Sequence, residues 1–74
     1  MTISEIKNLV GVAANVTVNS GLRYSELRSL VEKANAMESG CLTIIVEEGT
    51  LTSAEINSLA TLGGRFVSFD LTKL

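Results

Sequence analysis

The 74 residues make one domain, residues 1–74, with no room for a second. A hydrophobic fraction of 46% with six glycines excludes a disordered polar chain. Eight acids against six scattered bases, a net charge of −2, disfavour nucleic acid as a partner, because phosphate binding needs a basic excess or stripe.

The first element opens at Thr2, with Glu5 three residues later. That is a capping box, in which the Thr hydroxyl and the Glu carboxylate each accept from the other residue's free backbone N–H. Ile6, Leu9, Val10 and Ala13 then follow at helical spacing. Asn15-Val16-Thr17-Val18-Asn19 alternates with the period of a strand. The second helix runs from Arg23-Tyr24-Ser25-Glu26 through Leu27, Leu30, Val31 and Ala34 towards Met37, and Ser39-Gly40 stops it. Cys41-Leu42-Thr43-Ile44-Ile45-Val46 is the second strand. Thr52 and Glu55 repeat the capping box, Ile56, Leu59 and Ala60 continue the third helix, and Gly63-Gly64 ends it. Arg65 to Leu71, rich in aromatic and β-branched residues, is the third strand.

These are three copies of one helix–strand unit, roughly residues 1–19, 20–48 and 49–74, with the Glu residues 21 and then 29 apart. The middle copy departs at one place. Arg23 stands where its siblings have threonine, and arginine cannot accept the N–H bond. The order αβαβαβ predicts an α/β fold with a three-stranded, mainly parallel sheet, helices on one face, stacked like a short solenoid.

Strand periodicity then divides the side chains. Val16, Val18, Leu42, Ile44, Val46, Val67, Phe69 and Leu71 are expected to face the helices. The opposite face is expected to hold Asn15, Thr17, Asn19, Cys41, Thr43, Ile45, Phe66, Ser68 and Asp70. Parallel sheets usually have both faces covered, and this chain supplies helices for one.

Catalytic chemistry finds little to use. The absence of histidine removes Ser-His-Asp and Cys-His nucleophiles and histidine-based metal sites. Cys41 has no CxxC partner, and neither GxGxxG nor GxxxxGK occurs. No catalytic, cofactor-binding or metal residue is assigned, and the chain is not expected to be an enzyme.

The expected function is a small protein-interaction module or adaptor acting through the helix-free sheet face, its partner another protein or a second copy in a homodimer. The candidate surface is Thr17, Thr43, Ile45, Phe66 and Ser68, with Arg23 and Tyr24 at the second helix start, since Tyr and Arg are enriched at binding hot spots. The alternative is a small-molecule or cation-binding domain using an acidic edge of Glu47, Glu48 and Asp70, because ligands of parallel sheets bind beyond the carboxyl ends of the strands. No membrane partner is expected, since the longest apolar stretch, Leu9 to Ala14, is too short to span a bilayer. No secretory signal is read at the amino terminus, so a cytoplasmic location is the expectation.

Overall fold

The computed structural model describes residues 2–12, 15–38 and 40–74. Helix α1 spans Ile3–Gly11, strand β1 Asn15–Asn19, α2 Tyr24–Met37, β2 Cys41–Ile45, α3 Ser53–Gly63 and β3 Val67–Asp70, with a 3₁₀ turn over Gly64–Phe66 between the last two. The sheet is open and entirely parallel, in the order β1-β2-β3. Thr17 stands beside Thr43, and Thr43 beside Ser68. The chain is therefore α/β, with three helices and a three-stranded parallel sheet, measuring 30 × 25 × 21 Å.

Local signals set the helix starts. Thr2 Oγ1 accepts from Glu5 N at 3.3 Å, and Glu5 Oε1 accepts from Thr2 N at 3.1 Å. Thr52 and Glu55 make the same exchange at 3.2 and 2.9 Å. At α2 only half of it exists: Glu26 Oε1 accepts from Arg23 N at 3.3 Å, and no side chain accepts in return. The nearby hydroxyls do not fill the gap: Ser20 bonds Glu47 and Thr50, and no side chain caps the α2 start among the described residues.

The helices and one face of the sheet close over a single core: Val10, Leu27, Leu30, Val31, Ala34 and Leu59 from the helices, and Val18, Leu42, Ile44, Val46 and Val67 from the sheet side. Helix α2 lies in the middle, in contact with both α1 and α3. Gly63 ends α3 tight against Val67, the first residue of β3. A Cβ there would overlap Val67 and meet Val31 Cγ1 at 3.0 Å, so a side chain would overpack the core.

The third strand differs from expectation at both ends. Phe66 is not a strand residue of the helix-free face. It sits in the 3₁₀ turn, half-buried and packed against the core, with the Arg65 guanidinium 5.1 Å from its ring centroid. In a strand, neighbours Phe66 and Val67 would point to opposite faces, whereas the turn lets both reach the core. Leu71, expected to face the helices, is 51% exposed. Asp70 explains this, because its carboxylate accepts from Thr72 N at 2.9 Å and from the Thr72 hydroxyl at 2.6 Å, turning the chain before Leu71 can continue the strand. Ala60 and Leu9 also lie outside the core, and Ala13 and Ser39 fall outside the described residues.

Candidate interaction surface

The helix-free face carries Asn15, Thr17 and Asn19 from β1, Cys41, Thr43 and Ile45 from β2, and Ser68 and Asp70 from β3. Register rather than sequence proximity brings them together. Thr17, Thr43 and Ser68 form a row of hydroxyls across the sheet centre, where Thr43 Oγ1 lies 2.9 Å from Ser68 Oγ. Cys41 Sγ is 3.8 Å from the same Ser68 oxygen. Ile45 stands in the next row between Asn19 and Asp70, half-buried, and is the large apolar side chain of this face.

The acidic edge has a structural role for two of its three carboxylates. Asn19 Nδ2 donates to Glu47 Oε1 at 2.8 Å, while Asn19 Oδ1 accepts from Gly21 N at 2.8 Å. Behind them Ser20 is buried, with 1% exposure. Its oxygen accepts from Glu47 N at 2.8 Å and lies 2.6 Å from Thr50 Oγ1. The Thr50 proton goes to the Glu47 carbonyl. Each hydroxyl carries one proton, so the Ser20 proton points to Thr50, and the network is satisfied with a single polarity. Asp70 is held by Thr72: the Thr72 hydroxyl first, then its backbone N–H, keep the carboxyl below its ordinary value near 3.8, with Lys73 adding in the same direction. Glu48 is exposed at the turn. Among the described residues, no group of three or more His, Cys, Asp or Glu side chains could hold a metal ion.

Arg23 and Tyr24 part company. Arg23 is exposed, whereas Tyr24 is half-buried and lines a groove of about 590 Å³ with Arg28, Asn57, Ser58, Thr61 and Leu62. This groove escaped the sequence reading because it depends on how α2 and α3 lie side by side. Arg28, on the wall of this groove, donates through Nε to Glu32 Oε1 at 3.2 Å, an exposed pair one helical turn apart. No helix among the described residues is long and apolar enough to cross a membrane. No protein-family model, no curated protein and no solved structure matches the chain, so its functional reading rests on its own geometry.

Proposed function

We propose that this chain is a small, non-enzymatic interaction module that docks a protein partner on the helix-free face of its sheet. One observation carries the reading: an all-parallel sheet has helices on one side, while its other side presents a hydroxyl row flanked by the half-buried Ile45. All-parallel sheets occur almost only with both faces covered, so the second layer is left for a partner to supply. On this reading the helix–strand units are tandem copies whose strands line a shallow solenoid face, and Thr17, Thr43, Ile45 and Ser68 are its contact residues.

The size of the face sets the kind of contact. Five residues at ~3.3 Å and three strands at ~4.8 Å spacing give a footprint of about 16 by 14 Å. That is roughly a quarter of the ~800 Å² per partner in a stable interface. A transient contact follows, or one in which the partner also reaches Arg23 and the strand ends.

The test is photo-crosslinking in the native host from a reactive residue at Thr17, compared with one at Asn57 on the helix side. A defined protein crosslinked from Thr17, absent from the Asn57 probe and lost on Ile45→Glu, is expected. Identical products from both probes, or none from either, refute the reading.

A further inference from the structure

We propose that β1 is a self-pairing edge: two copies of the chain join antiparallel across a two-fold axis at Thr17, forming one six-stranded sheet. The direction of the backbone groups is the first observation. Ser20 N donates to the Ile45 carbonyl at 3.0 Å, and on the far side of β2 Val46 N donates to the Asp70 carbonyl at 2.9 Å. Backbone groups of alternate strand residues turn to the same side. Val16, Val18 and Ser20 therefore address β2, while Asn15, Thr17 and Asn19 turn their N–H and C=O groups outward from the sheet. Among the described residues, the turn bond beside this edge is the one from Leu22 N to the Asn19 carbonyl, at 3.4 Å. It leaves the N–H and C=O of Thr17 and the N–H of Asn19 for another strand. Such a row is a template for pairing.

The second observation is that β1 reads the same in both directions: Asn-Val-Thr-Val-Asn, centred on Thr17. A two-fold contact is isologous, so the surface must complement itself. An axis through Thr17 sets Thr17 against its own copy as a hydrogen-bonded pair, sets Asn15 against Asn19, and sets Val16 against Val18 on the helix side. The centre of the palindrome is an outward-turned residue, as a hydrogen-bonded pair on the axis requires.

A third observation separates this edge from the opposite one. No charged residue occurs between Lys7 and Arg23, and the stretch includes Leu9 and Val12, which are 39% and 71% exposed. Edges that avoid pairing carry charge, proline or a bulge. Strand β3 is only four residues long, with Arg65 before it, Asp70 within it and Lys73 after it. The pairing does not rest on the helix-free face, which it leaves open and makes continuous across both copies.

Sedimentation of the full chain from micromolar to millimolar concentration, with hydrogen exchange at each end of the range, tests the proposal. The mass is expected to rise from one chain to two, with exchange of the Thr17 and Asn19 amides slowing as it does. Thr17→Pro removes an N–H that makes no bond to β2, and it is expected to leave the fold intact and abolish the two-chain species. Thr17→Lys and Thr17→Glu are each expected to be single chains, and their equimolar mixture to recover the two-chain mass. Ile45→Glu is expected to retain it. A single-chain mass at every concentration overturns the proposal. So does association that survives Thr17→Pro and Thr17→Lys, and association lost in Ile45→Glu assigns the contact to the sheet face instead.

Discussion

Replacing Arg23 by threonine should stabilise the protein, although no contact in the native structure is being repaired. The backbone at Arg23 has φ −63° and ψ 148°, close to the −81° and 162° of Thr2 and the −84° and 163° of Thr52. A threonine there is already placed to accept from Glu26 N, and Glu26 already supplies the reciprocal bond to the residue-23 N–H. A side-chain cap contributes about 0.5–2 kcal/mol. The gain belongs in the lower half of that range, because Glu26 N also donates to the Arg23 carbonyl at 3.0 Å. Arg23 forms no ion pair among the described residues, so its loss offsets little. About 0.5–1 kcal/mol corresponds to a rise of about 2–8 °C in the midpoint for a domain of this size. Thermal and urea unfolding followed by circular dichroism measure it, with Thr52→Ala as the converse variant, losing about 1 kcal/mol. An unchanged or lower midpoint in Arg23→Thr, beside the expected loss in Thr52→Ala, refutes the reasoning.

Three further outcomes are expected. Ser20→Ala leaves the half-buried Glu47 N–H without its acceptor and should cost about 1 kcal/mol, the low end of the penalty for an unpaired donor, read as a lower urea midpoint with an unchanged slope; a neutral result would show that water replaces the hydroxyl. Glu38, the C-cap of α2, holds φ 51° and places a negative charge at the negative end of the helix, so Glu38→Gly should raise stability by about 1 kcal/mol in the same assay, and a fall would contradict this account. Glu5 is held below its ordinary value of 4.5 by the backbone N–H of Thr2 and then by its hydroxyl, and Asp70 is lowered by Thr72. Both folded values are depressed, so their contribution is present above the unfolded values and is lost as pH falls through the folded ones. The wild-type urea midpoint should drop on acidification below pH 4.5, and less so in the double variant Glu5→Gln/Asp70→Asn; equal drops would remove these two groups from the explanation.

Where local chemistry decided the structure, the chain could be read residue by residue. Thr2–Glu5 and Thr52–Glu55 announce two helix starts, and the alternation of Leu42, Ile44 and Val46 announces the buried side of β2. The missing cap at Arg23 was equally legible, because arginine has no acceptor. What was not legible depends on partners distant in sequence. Glu47 reads as a free acid until the pairing of Asn19 with Ile45 carries it beside the Asn19 amide, 28 residues away. Phe66 reads as a strand residue until the core claims it together with Val67. The α2–α3 groove needs two helices packed side by side, and no spacing within either helix encodes it.

The central position of α2 and β2 also has a consequence for how the molecule opens. Among the described residues, strand β1 bonds only to β2 and β3 only to β2, while α1 and α3 both lean on α2. An outer helix–strand pair can detach while the other keeps its full set of neighbours. Opening from either end is therefore partial and independent, and the last amides to exchange belong to α2 and β2. At the β1 end such an opening is limited by the Ser20–Glu47–Thr50 network, whose hydrogen bonds around the buried Ser20 must break first, so fraying is expected to begin at the β3 end of the sheet.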